Sequence, residues 1–288
     1  MEKRSIKKAA VLGAGVMGSK IAALLAGADI PTYLLDIVPK ELGEKDAKKG
    51  WTKESPEFRN KLAKAGIDSA LMASPPAFFL PQDAKLVTPG NLTDHLSWLG
   101  DVDWIIEVVA EDLKIKNDLL STIQPFVKPG VIISTNTSGL SINAMAQALS
   151  PAARALFLGT HFFNPPRHMK LLEIVPTPHV DKAVVSFMAS FCEERLGKSI
   201  VFAKDTPNFI ANRIGVYTLL VAVKTMTEEG YTIEEVDAIT GPPMGRPKTA
   251  SFRTADMVGL DVLAKVAHNV QDNLREASEK ESFSVPPF

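Results

Sequence analysis

The sequence predicts an α/β fold: a Rossmann-type doubly wound sheet followed by a smaller all-α domain. Three observations carry this expectation. Short β-rich runs alternate with helical stretches from Lys8 to Lys204, as a largely parallel sheet requires. A G-x-G-x-x-G turn, Gly13, Gly15 and Gly18, joins the first run to the first helix. After Asp205-Thr206-Pro207 the strand patterning fades and long helical stretches take over. The expected domains are therefore 1–204 and 205–288.

Lys8 to Gly27 reads as strand, glycine turn and helix, with Ile21, Leu24 and Leu25 at helical spacing. Its basic approach and apolar core also resemble a secretion signal, but three glycines and Lys20 interrupt that core. Pro31 to Asp36, "PTYLLD", is a second buried strand ending in an acid. An insertion over about 40–75 follows, charged and helical through "KELGEKDAKKGWTKESPEFRNKLAKAG", then a loop at "ASPPAFFLPQ". Alternation resumes with strands at "AKLVTP" and "VDWIIEVV" and a helix from Lys114 to Phe126. Next come "GVIISTNTS" and a helix around Ile142 to Leu149, then strands at "ALFLGTHFF" and "KLLEIVP". A helix from Lys182 to Leu196 and a strand at "SIVFAK" close the domain. In the helical part, "ASFRTADMVG" alone keeps a strand signal. The apolar, proline-containing end "ESFSVPPF" reads as a cut through a continuing polypeptide.

A formal charge of -1 gives no general attraction for nucleic acid or an anionic membrane, so a phosphate-bearing partner needs a local site. The lone Cys192 excludes an internal disulfide and a thiolate metal cluster, and no His pair has metal-ligand spacing, so no metal site is expected. No uninterrupted apolar run is long enough to span a bilayer. These features fit a reducing, cytoplasmic setting.

Each glycine of the turn has its own task. Gly13 permits the tight bend, Gly15 lets backbone amides approach a pyrophosphate, and Gly18 allows the helix to pack on the sheet. Val16 and Met17 begin that helix, whose unpaired N–H groups and dipole favour an anion. Asp36, at the end of the second strand, is placed to accept hydrogen bonds from a ribose diol. It would repel a 2′-phosphate, and the neighbouring Ile37 and Val38 offer no guanidinium to receive one, so the expected cofactor is NAD rather than NADP.

In "HFFNPPRHMKLLEIVP", His161 and Glu173 lie twelve residues apart on two strands joined by a proline-rich loop. If Glu173 is buried against the ring, it fixes the tautomer and stabilises the imidazolium, giving a general base useful near neutrality. Spacing alone fits equally a core histidine and a surface glutamate.

These residues resemble the L-3-hydroxyacyl-CoA dehydrogenases of fatty-acid β-oxidation. The resemblance rests on "GAGVMG" with Asp36, "IIEVVAEDLKIK", "STNTSGL", "GTHFFNPPRHMKLLEIV" and "KDTPNFIANRIG", in that order. "GPPMGRPKTASFRTADMVGLD" is closer to the large fused members than to the short ones. Asn208 stands where many members have Gly, and Gly139 where many have Ser. The resemblance implies that His161 is the catalytic base, Glu173 its partner, and Ser138 and Asn212 the holders of the substrate's 3-oxygen. It also implies that Glu111 and Lys116 contact the nicotinamide half of NAD, with Asn136 and Ser138 in the cofactor site. An acyl-CoA thioester substrate and a homodimer through the helical domain are further implications. The insertion's Lys40–Lys64 stretch holds eight Lys or Arg against five acids, an excess that fits equally the phosphates of coenzyme A and a solvated helical arm. The alternatives are a dehydrogenase of another small hydroxy acid and a binding module without turnover.

Overall fold

An eight-stranded sheet organises the first of two compact units, which divide between Asp205 and Thr206. The computed structural model describes residues 4–274 and 276–285. In chain order the first unit comprises β1 (Ala9–Leu12), α1 (Val16–Ala26), β2 (Thr32–Asp36), α2 (Glu44–Ala47), α3 (Pro56–Arg59), α4 (Lys61–Met72), β3 (Val87–Asn91) and β4 (Trp104–Glu107). It continues with α5 (Leu113–Ile123), β5 (Ile132–Thr135), α6 (Ile142–Ala146), α7 (Pro151–Arg154), β6 (Phe157–Phe162), β7 (Leu171–Pro176), α8 (Lys182–Leu196) and β8 (Ser199–Phe202). The strands run in the order β3-β2-β1-β4-β5-β6-β7-β8, and every neighbouring pair is parallel except β6 and β7.

This order follows from the sequence. Four apolar residues in β1, and Trp104, Ile105 and Ile106 in β4, are fully buried, as central strands covered on both faces must be. The direction of winding reverses at β1, between β2 and β4, and opens a crevice beyond the carboxyl ends of those strands. Polar groups that enter the core meet one another at Trp104, whose Nε1 donates to Ser134 Oγ at 2.9 Å while Thr160 Oγ1 lies 2.8 Å from the same oxygen; the buried Oδ1 atoms of Asn117 and Asn143 have no hydrogen-bond partner among the described residues.

The insertion is less helical than its composition predicts. Only α2, α3 and α4 form, and Lys48 to Ser55 are turn and coil, because Gly50 takes a left-handed φ of 76° and Pro56 must start a helix rather than continue one. Arg59 fastens the insertion to the end of β3 with a bidentate pair to Asp94, at 2.6 and 2.7 Å. α4 lies on α1 and on the glycine turn, where a Cβ at Gly66 would stand 2.6 Å from the Ala14 carbonyl.

The second unit comprises α9 (Ala211–Glu229), α10 (Ile233–Thr240), α11 (Phe252–Val258), α12 (Leu260–Asn273) and α13 (Ala277–Ser282). The strand expected inside "ASFRTADMVG" is the helix α11. Asp237 decides this, since its carboxylate accepts the N–H groups of Ser251, Phe252 and Arg253 and so supplies the partners that a helix start lacks. Val216, Leu220, Ala267, Val270, Leu274 and Phe283 form a small core. Among the described residues, no helix is long and apolar enough to cross a membrane.

Candidate active site

The glycine turn shows in its contacts why each glycine is required. Gly13 has a φ of 107°, and a Cβ there would lie 2.6 Å from the Val108 carbonyl; at Gly18 it would lie 1.8 Å from the Gly13 carbonyl. A Cβ at Gly15 would instead meet nothing within 4 Å. So the turn is closed on the protein side at Gly13 and Gly18, and open at the position through which a diphosphate would reach the backbone. Val16 and Met17 begin α1 with no acid in the first turn and no side-chain cap, leaving the helix N–H groups to a ligand.

Asp36 ends β2 facing this turn. One carboxylate oxygen accepts the Ala14 N–H at 2.6 Å and the other its own neighbour's N–H, from Ile37, at 2.7 Å. A carboxylate has about four lone-pair sites, so these bonds orient it and leave capacity for a diol. The residues fit a dinucleotide.

Beyond the ends of β4 and β5 lies a second cluster. Lys116, on α5, is 1% exposed, and Glu107, the last residue of β4, is 0% exposed. Lys116 Nζ reaches Glu107 Oε1 at 2.7 Å, the Val109 carbonyl at 3.2 Å and Glu111 Oε2 at 3.3 Å. The other Glu107 oxygen accepts from Thr135 Oγ1 at 2.6 Å. Thr135 Oγ1 accepts the Thr137 N–H, and Thr137 Oγ1 donates to Glu111 Oε1, which closes a ring of polar contacts. Ser138 joins it through its N–H and hydroxyl, at 2.9 and 3.3 Å from Glu111 Oε1. Partial burial pushes the Glu111 carboxyl up, but the Lys116 charge and the Thr137 and Ser138 donors outweigh it and hold the group below the usual carboxylate range. Glu111 and Lys116 are thus joined in one polar network with Glu107, Thr135, Thr137 and Ser138. Asn136 spans the gap to the next strand, its Oδ1 accepting the Phe162 N–H at 2.8 Å.

The third element is the pair itself. His161 on β6 and Glu173 on β7 are directly opposed in the antiparallel register, and His161 Nδ1 lies 2.7 Å from Glu173 Oε2. Both are buried. Antiparallel pairing is what brings them together, because residues directly opposite on neighbouring strands project to one face. The loop between the strands is tied down at several points. Lys20 donates to Asn164 Oδ1, Arg167 to the Pro76 and Phe78 carbonyls, and the buried Lys198 to the Pro166 and Met169 carbonyls. Burial pulls the Lys198 ammonium down to about 8.

Asn212 stands in the first turn of α9, half-buried, in the second unit. Four residues before it, Asn208 has a φ of 57°. The left-handed region favours glycine, and Asn is among the residues that tolerate it best, so Asn can stand at this position without glycine's freedom.

The sequence reading missed Glu107, Thr135 and Thr137. The available signal was an acid inside the apolar run "DWIIEVV", because a carboxylate in a buried strand needs donors of its own. Asp205 was missed as well; it receives the N–H groups of Ile142 and Asn143 and the Ser141 hydroxyl, capping α6.

The 3-hydroxyacyl-CoA dehydrogenase NAD binding domain matches residues 8–206, and the C-terminal domain of the same family matches residues 209–286. The chain belongs to the 3-hydroxyacyl-CoA dehydrogenase family. A probable 3-hydroxyacyl-CoA dehydrogenase of Bacillus subtilis is 51% identical over 285 residues, covering 99% of this chain and 36% of its own length. A protein of the same description from Deinococcus radiodurans is 46% identical, over 92% of this chain and 72% of its own. The chain therefore spans about a third of the first of these relatives. Among solved structures, M. tuberculosis FadB2 superposes with a TM-score of 0.77 at 28% identity, covering 99% of this chain and 92% of that one. Within the family, the first unit is the NAD-binding domain and the second the C-terminal domain.

Proposed function

We propose that this member of the family catalyses NAD-dependent interconversion of an L-3-hydroxyacyl-CoA and its 3-oxoacyl-CoA, a step of fatty-acid β-oxidation. The observation that carries the proposal is the buried His161–Glu173 pair, with Nδ1 at 2.7 Å from the carboxylate, in a chain matched by both domains of the family. With Nδ1 committed to Glu173, the exchangeable site is Nε2, which takes the proton of the substrate's 3-hydroxyl in oxidation and returns it in reduction. Glu173 stabilises the imidazolium formed in that step and holds the ring. Bound at the glycine turn and Asp36, NAD would supply the acceptor for the C3 hydride. Ser138 donates a hydrogen bond to the 3-oxygen and stabilises the charge that develops on it, a task that the family resemblance also assigns to Asn212.

Gly13, Gly15, Gly18, Val16 and Met17 bind the diphosphate, Asp36 and Ile37 flank the adenosine ribose, and Glu111, Asn136 and Ser138 line the nicotinamide end; Lys116, expected from the resemblance to touch that end, is buried behind Glu111 and acts through it. The substrate class is supported by the family match and by the insertion, whose lysine excess suits coenzyme A phosphates. A homodimer through the helical unit is supported by the exposed stripe Ile214, Tyr217 and Val221 on α9. The buried Cys192 thiol, which is free of any disulfide, supports a reducing, cytoplasmic setting.

The test is substrate comparison. Consumption of NADH is expected with acetoacetyl-CoA and not with free acetoacetate, and production of NADH with 3-hydroxybutyryl-CoA and not with free 3-hydroxybutyrate. Comparable turnover of the free acids would assign the chain to another hydroxy-acid chemistry. Binding of NADH without any thioester-dependent turnover would leave only a binding module.

A further inference from the structure

The ring of contacts around Lys116 contains an acid to which the proposed chemistry gives no task. Glu107 is fully buried, yet it accepts three donors: Lys116 Nζ and the Val109 N–H, each at 2.7 Å, and Thr135 Oγ1 at 2.6 Å. Both of its oxygens are thus engaged by donors that the core itself supplies. Lys116 is equally buried, and its nearer carboxylate is Glu107, at 2.7 Å against 3.3 Å for Glu111. Glu111 is the member that reaches the surface, with 42% of its side chain exposed. The cluster therefore holds two carboxylates and one ammonium, a net charge of one negative unit, with its exposed end at Glu111.

We propose that Glu107 is a positioning residue that offsets the Lys116 charge from inside the core, so that the three-group cluster keeps a net negative charge whose exposed end, Glu111, faces the nicotinamide ring and favours its oxidised, positively charged form. Without Glu107, Lys116 would have Glu111 as its only counter-ion and would cancel it. With Glu107 in place, Lys116 serves as a fixed spacer that sets the position of Glu111, and Thr135 and Thr137 carry the same constraint to Ser138. This inference rests on the nicotinamide end lying at Glu111, as proposed above. The effect is electrostatic, so it must appear as a difference between two ligands that differ chiefly by one charge at the ring.

The experiment measures equilibrium affinities for NAD⁺ and NADH with the whole chain and no acyl substrate, so it remains informative even if the substrate assignment fails. Glu107→Gln removes one negative charge and is expected to weaken NAD⁺ relative to NADH by about threefold or more. Glu107→Gln combined with Lys116→Met restores the net charge of the cluster and should bring the ratio of the two affinities back to within about twofold of the parent. Thr135→Val perturbs the same buried network without changing its charge and should leave the ratio in place. Glu111→Gln, at the exposed end, provides the charge deletion without touching the core and should shift the ratio as Glu107→Gln does, even if that variant fails to fold. The proposal is overturned if Glu111→Gln leaves the ratio unchanged, if the double variant departs further than Glu107→Gln alone, or if Thr135→Val shifts the ratio as much as the charge deletions do.

Discussion

The two units bury their residues to different degrees. In the sheet unit every residue of β1 is at 0% exposure, and the sheet also encloses Glu107, Lys116, His161 and Glu173, each with a partner. The helical unit has only a small apolar core. It leaves Met257 72% and Leu260 63% exposed. It also contains a cavity of about 710 Å³ lined by Leu219, Val223, Phe252 and Leu263 among others. Ionised groups are tolerated in a core only where geometry is fixed and every lone pair has a donor. The sheet unit can therefore hold charged machinery in place, whereas the helical unit has the smaller core and carries the exposed stripe Ile214, Tyr217 and Val221 through which a second copy is proposed to bind.

The comparison can be broken most severely at the buried pair. His161→Gln is expected to lower turnover by about 10²–10⁴-fold while NADH affinity and the melting temperature stay close to the parent. A parallel loss of cofactor binding or of folding would mean that the pair braces the sheet instead. The contrast in packing is sharpened by two truncations compared by denaturant unfolding. Leu34→Ala, fully buried in β2, should cost about 2–5 kcal/mol. Leu220→Ala, beside the open cavity, should cost less than Leu34→Ala, because its neighbours have room to collapse. Equal costs would erase the difference between the units. Next in size, Asp36→Ala should weaken NAD binding by about tenfold and reduce the discrimination against NADP, measured by titration with each cofactor. An unchanged preference would remove Asp36 from the ribose.

The smallest expected effect concerns Lys198, a buried ammonium held by the Pro166 and Met169 carbonyls. Burial lowers Lys198 from an ordinary 10.5 to about 8, so between those values the unfolded chain binds more protons than the folded one. The penalty of the buried charge is fully present below about 8 and is relieved as pH rises through the folded value. The parent should gain stability relative to Lys198→Met as pH increases from 8 towards 10.5. A difference independent of pH would show that the lysine is solvated in the folded state.

Much of the sheet unit was legible because its constraints are local. A glycine turn between a strand and a helix, and an acid at the end of the next strand, each occupy a few consecutive residues. His161 and Glu173 were legible as a candidate pair, but their meeting depends on the antiparallel register of β6 and β7, which spacing leaves open. Glu107 was not legible as a site residue, since its meaning lies in Lys116 and Thr135, which arrive from α5 and β5. The strand expected inside "ASFRTADMVG" failed for a related reason: the helix start is capped by Asp237, contributed from a different helix. In the insertion, composition showed the charge, but Gly50 and Pro56 set where the helices stop and start.

The measurement that tests the central claim most directly is an experimental structure with NAD and a 3-oxoacyl-CoA bound. The account predicts a diphosphate on the amides of Val16 and Met17, the ribose diol on Asp36, and the 3-oxygen within hydrogen-bond reach of His161 Nε2, about 2.6–3.2 Å. A dinucleotide bound away from the glycine turn, or an imidazole turned away from the reacting carbon with Glu173 detached from it, would contradict it.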